Sequence, residues 1–159
     1  MVFVSVGTER FPFDRLIQAV DQVASQLNGE PIFVQLGHST YRPQRCQWTR
    51  ILPYQDLIEQ IHRVRIVVCH AGAGMLLLCA RSGKAPIVLP RRKRFGEHVD
   101  DHQPELAMRM AQLGYVLLAE RPEEIVPLIL EYEEREARTC PRPPSHPALA
   151  SSLSEYLAA

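Results

Sequence analysis

Short apolar runs rich in valine and isoleucine alternate with segments of helical periodicity along most of this chain. In the helical segments the apolar residues recur every three or four positions, as between Leu16 and Leu27. The apolar runs are strand candidates at residues 2–6, 31–36, 48–52, 65–69, 86–89 and 115–119. Most of them are apolar on both faces, which is typical of a parallel sheet covered by helices on both sides. We therefore predict an α/β fold with a mainly parallel sheet.

Length and composition favour a single domain, and the alternation of strands and helices indicates that it is Rossmann-like. The 159 residues suit a single domain, and the 46% hydrophobic content is ordinary for a globular chain. We place this domain at residues 1–138 and assign residues 139–159 to a linker and a C-terminal helix. The stretch from Thr139 to Pro147 contains four prolines and is typical of a stiff linker. Beyond it, one apolar stripe consists of Leu149, Leu153, Tyr156 and Leu157. This stripe either packs back onto the domain or docks elsewhere.

Charge, cysteine spacing and the first residues exclude several other classes of protein. The formal net charge is zero, so no bulk attraction to nucleic acid or to anionic lipid is expected. The four cysteines form no C-x-x-C pair, which leaves a zinc ribbon unsupported. The N-terminus lacks the basic region of a signal peptide, and no apolar run approaches the roughly 20 residues that cross a bilayer. We expect a cytosolic protein.

Three polar loops, at residues 7–10, 70–74 and 91–103, follow predicted strands. Ligands of open α/β sheets bind at the carboxyl ends of the strands, so the three loops are expected to line one crevice. The sequence His70-Ala71-Gly72-Ala73-Gly74 joins a strand to a helix, and such a turn suits a diphosphate. A simple tight turn is the alternative. A P-loop is excluded because Leu78 stands where the motif needs its first glycine.

The loop at residues 91–103 begins with four basic residues and continues with acidic, histidine and amide side chains. This mixture is suited to hydrogen bonds with sugar hydroxyls and to phosphate neutralisation, although a solvated surface loop is the alternative. His98 and His102 lie four residues apart beside Asp101, but the spacing matches neither H-E-x-x-H nor its inverse. No metal site is predicted here.

Taken in order, these motifs resemble the C-terminal domain of family 28 glycosyltransferases. The resemblance rests on Val6-Gly7-Thr8, on residues 70–74, on the run from Gly83 to Pro90, and on Glu97-His98-x-x-Asp101-His102-Gln103. It covers about residues 1 to 135. The chain is most similar to the stand-alone form of this domain, found in two-part UDP-N-acetylglucosamine transferases and in bacterial exopolysaccharide transferases.

The resemblance implies the C-terminal, donor-binding half of a GT-B architecture divided over two chains. This half would be the catalytic subunit of an inverting, UDP-dependent hexosyltransferase that moves a sugar from a UDP-sugar to a lipid-linked glycan. A membrane-associated partner subunit would bind the acceptor, recruit this chain to the cytoplasmic face of the membrane and be needed for activity. No metal ion or other cofactor is implied, and no nucleic acid.

The resemblance also assigns roles to individual residues. Gly7 and Thr8 would face the diphosphate, and Tyr54 would flank the uracil. His70, Gly72, Ala73 and Gly74 would form the phosphate-binding turn. The donor-sugar segment would consist of Glu97, His98, Asp101, His102 and Gln103, with Arg91 and Arg92 beside it. His98 is the candidate general base, with a residue of the partner as the alternative.

Two departures from the family pattern keep other functions open. Leu78 stands where many relatives carry a glutamate that holds the ribose, and Met75 where serine or threonine is frequent. A non-catalytic, glycosyltransferase-like partner subunit is therefore one alternative. An NADP-binding Rossmann protein is another, since Arg91 and Arg92 could contact a 2′-phosphate. The same arginines would also suit a carboxylated donor such as UDP-glucuronate.

Overall fold

The computed structural model describes residues 1–139, 151 and 153–155, and most of them lie in alternating strands and helices. The strands are β1 (Val2–Ser5), β2 (Ile32–Gln35), β3 (Gln47–Thr49), β4 (Ile66–Cys69), β5 (Ile87–Val88) and β6 (Leu117–Leu118). The helices are α1 (Asp14–Val23), α2 (Tyr54–Arg63), α3 (Ala73–Arg81), α4 (His102–Gln112), α5 (Ile125–Leu130) and α6 (Tyr132–Thr139). Short 3₁₀ turns lie at Ala24–Gln26, Lys93–Phe95 and Pro122–Glu124.

The strands form one parallel sheet in the order β3-β2-β1-β4-β5-β6. The chain moves outward in one direction from β1 to β3 and then crosses to β4 on the other side of β1. This reversal is the point at which doubly wound sheets open a crevice for ligands. The predicted parallel α/β fold is confirmed, and the crevice is expected between the loops that follow β1 and β4.

Apolar side chains cover both faces of the sheet. Along β1, Val2 and Val4 belong to one buried cluster and Phe3 belongs to the other, as the alternation of a strand requires. The first cluster includes apolar residues of α1 and α5, and the second includes those of α3 and α4. Because both faces are covered, the carboxyl edge of the sheet is left for polar chemistry.

The chain segment that begins at Pro122 forms a short 3₁₀ turn followed by two helices, α5 and α6. Pro127 lies in the first turn of α5, where a missing N–H removes no intrahelical bond. The break between α5 and α6 lies one turn later, at Glu131, where φ is −104° and ψ is 18°.

The side chain of Asp14 does not cap α1. Asp14 is the first residue of this helix, and Phe13 occupies the N-cap position without a side-chain cap bond. The Asp14 carboxylate instead accepts hydrogen bonds from the backbone N–H groups of Thr40 and Tyr41, at 2.8 and 3.0 Å. The side chain thus holds the loop after β2, a long-range contact that local spacing cannot predict.

One residue of the C-terminal stripe is described, and it contacts the domain. Leu153 is buried in the cluster that contains residues of α3 and α4. Its burial agrees with packing of this residue onto the domain. Of the predicted linker at residues 139–147, Thr139 is instead the last residue of α6, and residues 140–147 lie outside the described residues, as does the rest of the stripe. Within residues 1–139, 151 and 153–155, no helix is both long enough and apolar enough to cross a bilayer.

Candidate functional site

A pocket of about 390 Å³ lies at the carboxyl ends of β1 and β4. Ser5, Gly7, Thr8 and Glu9 line it from the β1 side. The β4–α3 turn contributes His70, Gly72, Ala73 and Gly74. Two of the three loops predicted to converge therefore meet at the switch point of the sheet.

The N-terminus of α3 faces this pocket. Gly72 is the N-cap residue and makes no side-chain cap bond, and Ala73 and Gly74 are the first two helical residues. The first N–H groups of a helix lack intrahelical acceptors and carry the positive end of the helix dipole. The pocket is therefore suited to an anion such as a phosphate.

The imidazole of His70 lies between two glycines that line the pocket. A methyl group added at Gly7 would lie 2.6 Å from His70 Cε1, and one added at Gly72 would lie 2.3 Å from His70 Nε2. Gly7 also has a φ of +77°, which other residues rarely adopt. The two loops can approach this closely because neither carries a side chain against the ring.

His70 is held in its neutral form at ordinary pH. Burial, and then the positive charge of Arg91, lowers the pKa of His70 to about 4. Its Nδ1 atom is buried and has no hydrogen-bond partner among the described residues. A neutral imidazole adds no charge to the pocket, so the attraction for an anion comes from the backbone, the helix end and the nearby charge of Arg91, and the Glu9 side chain in the lining opposes it.

We expect acid to destabilise the protein through His70. The unfolded chain binds a proton at a pKa near 6.5, whereas the folded state does so only near 4. The free energy of unfolding is therefore unaffected by protonation of His70 above pH 6.5. It falls by about 3 kcal/mol as the pH drops toward 4, because the unfolded chain takes up the proton first. Urea unfolding from pH 7 to 4, compared with a His70→Asn variant, measures this slope. A His70 midpoint near 6.5 in an NMR titration of the folded protein would contradict it.

The pocket wall opposite the polar loops is apolar. Leu57 of α2 lines it with Met75 and Leu78 of α3. The family departures noted in the sequence therefore lie in the pocket itself. No carboxylate is available from position 78 to hold a ribose, so the pocket offers apolar contact there.

Sequence reasoning missed two polar residues of the pocket, Ser5 and Gln35. They end β1 and β2, and Gln35 Nε2 donates to Ser5 Oγ at 3.4 Å. The Oε1 atom of Gln35 accepts a hydrogen bond from the backbone of Leu52 at 3.1 Å. A polar residue at the last position of an apolar strand is the signal that could have found both.

The other predicted contacts do not line this pocket. Tyr54 begins α2 and leaves 63% of its surface exposed. Arg91 has no exposed surface, because its guanidinium donates to backbone carbonyls of Val6, Phe11 and Glu97. In this structure it offers no surface to a donor carboxylate or to the 2′-phosphate of NADP. Arg92 is half-buried, and its backbone N–H donates to the Glu97 carboxylate at 2.9 Å.

Glu97 forms a buried ion pair. Its side chain is 5% exposed, and its two oxygens accept from Nε and Nη2 of Arg15, both at 2.9 Å. Arg15 also donates to the Pro90 carbonyl at 3.0 Å. The Glu97 carboxylate therefore faces α1, and the structure shows it bound to Arg15, where the sequence predicts a sugar contact.

The remaining residues of the segment form a local polar network around Asp100. His98 Nδ1 lies 3.0 Å from Asp100 Oδ1, and the backbone N–H of His102 donates to the same oxygen at 3.1 Å. The hydrogen bond from His102 holds the pKa of Asp100 below its usual value. Asp100, which the sequence reading did not single out, thus orders two predicted site residues.

Two further predicted residues accept backbone hydrogen bonds. Asp101 Oδ1 accepts from the N–H of Lys93 at 2.9 Å, and Gln103 Oε1 accepts from the N–H of Arg91 at 3.2 Å. His102 leaves 74% of its side chain exposed, whereas Gln103 is buried. Among the described residues, no group of three His, Cys, Asp or Glu side chains is placed to hold a metal ion.

Solved glycosyltransferase structures have the same fold as this chain. The glycotransferase of kitacinnamycin superposes on 98% of the chain with a TM-score of 0.63 and 19% identity. The calicheamicin glycosyltransferase CalG4 superposes on 99% of the chain with a TM-score of 0.62 and 17% identity. MurG of Acinetobacter baumannii superposes on 84% of the chain with a TM-score of 0.57 and 20% identity. The matched region makes up 37%, 43% and 41% of those chains, respectively. The predicted relation to half of a GT-B architecture is confirmed at the level of fold.

Sequence comparison finds relatives of one named function. The chain is 31% identical over 125 residues to the human UDP-N-acetylglucosamine transferase subunit ALG13, and 29% identical over 124 residues to the mouse protein. Each match covers 72% of this chain but only 10% of the relative. The model of the glycosyltransferase family 28 C-terminal domain matches residues 1–153. The chain therefore belongs to the family of glycosyltransferase family 28 C-terminal domains.

Proposed function

We propose that this chain is the donor-binding catalytic subunit of a two-component inverting glycosyltransferase. It would transfer a hexose from a UDP-sugar to a lipid-linked glycan in polysaccharide biosynthesis, such as exopolysaccharide assembly. The observation that carries the proposal is the pocket in which the uncapped N-terminus of α3 faces Gly7 and Thr8. The names of the human and mouse relatives, each a transferase subunit, support the division over two chains.

The helix end would act on the leaving group. During transfer the bond between the anomeric carbon and the diphosphate oxygen breaks, and its electron pair stays on UDP. Backbone N–H groups of Ala73 and Gly74, with the dipole of α3, would stabilise that charge. The acceptor oxygen would attack the opposite face of the sugar, which inverts the anomeric centre. No metal ion is required for this stabilisation.

The deprotonation of the acceptor needs a base at the edge of the cleft. We propose His98, whose Nδ1 lies 3.0 Å from Asp100 Oδ1, because the carboxylate would orient the ring and leave Nε2 to take the proton. A base supplied by the partner is the alternative. Wild-type turnover of a His98→Ala variant in the assembled complex would leave the partner as the source.

The proposed division of the enzyme into two chains also suggests where the acceptor binds and where in the cell the reaction takes place. A membrane-associated partner subunit would bind the lipid-linked acceptor and recruit this chain to the cytoplasmic face of the membrane. On the donor side, His102, Asp101 and Gln103 would contact the sugar. Arg92 would lie beside them, and Tyr54 would flank the uracil.

A second candidate function is a non-catalytic partner subunit that keeps the fold. The apolar pocket wall of Met75 and Leu78 favours it, because both residues lie where nucleotide contacts are expected. An NADP-binding role has less support, since the Arg91 guanidinium is bound to backbone carbonyls. Weak or absent binding of both nucleotides, in the chain and in the complex, would favour the non-catalytic role.

We expect saturable UDP binding in EDTA, and none of NADPH, in a calorimetric titration. Replacing Ala73 by Asp tests the helix end directly, because a carboxylate in the first turn stabilises the helix but repels a diphosphate. We expect at least about tenfold weaker UDP binding with an unchanged or higher melting temperature. Ala73→Asn is the matched neutral control.

Each outcome of this titration leads to a different conclusion. Equal UDP affinity in the wild type and in Ala73→Asp would place the diphosphate elsewhere. If the isolated chain binds no UDP, the titration is repeated with the assembled complex, and failure there removes the donor-binding role.

A further inference from the structure

We infer that Arg91 is a positioning residue that holds the loop after β1 and the segment at residues 97–103 in one arrangement. The inference rests on the proposed function, in which the first loop faces the diphosphate and the second contacts the sugar. Arg91 itself would touch neither the diphosphate nor the sugar, because its side chain is completely buried. It would act through the backbone of the two segments that are proposed to contact them.

The guanidinium joins backbone atoms that are far apart in the chain. Its Nη2 donates to the carbonyl of Val6 at 2.6 Å, and its Nη1 donates to the carbonyls of Phe11 and Glu97 at 2.9 and 3.0 Å. Val6 immediately precedes Gly7, and Phe11 follows the tip of the same loop. One side chain thus holds both ends of this loop and the start of the sugar segment.

The backbone of Arg91 adds a second connection. Its N–H donates to Gln103 Oε1 at 3.2 Å, so the carbonyl end of that amide faces the backbone of Arg91. The NH₂ end of the Gln103 amide therefore points away from Arg91. Arg91 consequently sets the position of the segment at Glu97 and the direction of the amide at Gln103.

An arginine suits this position better than any other cation. The buried carbonyls of irregular loops need hydrogen-bond donors, because no strand or helix pairs with them. The planar fork of a guanidinium reaches three carbonyls in different directions, whereas a lysine has a single nitrogen. The Phe13 ring lies 4.8 Å from the guanidinium carbon and supports its charge. Burial lowers the pKa of Arg91 to about 10, so it stays charged at neutral pH.

The test is Arg91→Lys in the full chain, with two measurements. Hydrogen exchange is expected to rise in residues 6–13 and 96–103 together and to stay unchanged in β2 and α2. UDP affinity is expected to fall about tenfold, because the loop that faces the diphosphate is no longer held. Arg91→Met is the second variant, which removes the charge as well.

Lys84→Met is the matched control. Lys84 Nζ also donates to a backbone carbonyl, that of Val64 at 2.6 Å, but it precedes β5 at the opposite end of the sheet from the pocket. We expect this variant to keep UDP affinity and the exchange of both loops, even if its melting temperature falls.

The outcomes separate this inference from the proposed function. Unchanged exchange in both loops of Arg91→Lys, or an equal rise throughout the sheet, overturns the positioning role. If wild-type protein and complex bind no UDP while exchange rises in the two loops only, the proposed function fails and the coupling of the loops stands. Loop exchange that rises without any loss of UDP affinity overturns the functional part of the inference.

Discussion

A Gly72→Ala variant is expected to lose about 3 kcal/mol of unfolding free energy and to bind no UDP. The added methyl group would lie 2.3 Å from Nε2 and 2.9 Å from Cδ2 of His70. The ring has little room to move on its Gly7 side, because a methyl group placed at Gly7 would lie only 2.6 Å from His70 Cε1. Either the imidazole or the turn at the start of α3 must shift, and both line the pocket.

Gly74→Ala is the control for this variant, and urea unfolding is the measurement. Gly74 lies in the same turn, but a methyl group added there would have no atom of the described residues within 4 Å, apart from its chain neighbours and the backbone of its own helix. We expect stability within about 1 kcal/mol of wild type, or slightly above it, because alanine favours a helix. Equal losses in both variants would contradict the role of the His70 contact and point to general intolerance of the turn.

Glu97→Gln is expected to cost about 3 kcal/mol of unfolding free energy in the absence of any ligand. The Glu97 carboxylate is buried and accepts two hydrogen bonds from Arg15 and one from the backbone of Arg92. A neutral amide leaves the Arg15 guanidinium partly buried without its counter-charge. The NH₂ group of the introduced glutamine also stands where Glu97 has an acceptor oxygen, so this donor would face an N–H donor of Arg15 or Arg92.

The comparison with an exposed ion pair makes this result interpretable. Glu134 pairs with Arg138 at 2.6 Å, with side chains 65% and 74% exposed. We expect Glu134→Gln to change stability by less than about 0.5 kcal/mol, since solvent screens such pairs. Unchanged stability of ligand-free Glu97→Gln, together with weaker UDP-sugar binding, would instead support the sugar contact that the motif predicts.

The α/β class and the parallel sheet could be predicted because they depend on local patterns. Strands buried on both faces are apolar along most of their length, as in Val2 to Val4, and this pattern can be recognised without any knowledge of tertiary contacts. The turn at residues 70–74, which joins β4 to α3, could be predicted for a similar reason. A strand, a glycine pair and a helix in direct succession leave the chain few other conformations.

The roles of Arg91 and Glu97 could not be predicted in this way. Both lie in an irregular loop, where no periodicity indicates which way a side chain points. A charged run there is equally compatible with a ligand, with solvent or with the protein interior. The choice depends on partners more than 70 residues away in the chain, such as Arg15 for Glu97 and Val6 for Arg91.

The sequence by itself determined the order of strands and helices and the loops that end at the carboxyl edge of the sheet. It did so because burial and backbone hydrogen bonding leave a periodic signature along the chain. Only the tertiary structure decided that His70 fits between Gly7 and Gly72, and that the charged side chains of Arg91 and Glu97 face inward. Those arrangements depend on the distance between loops of different strands, which the packing of the whole sheet sets and no local pattern records.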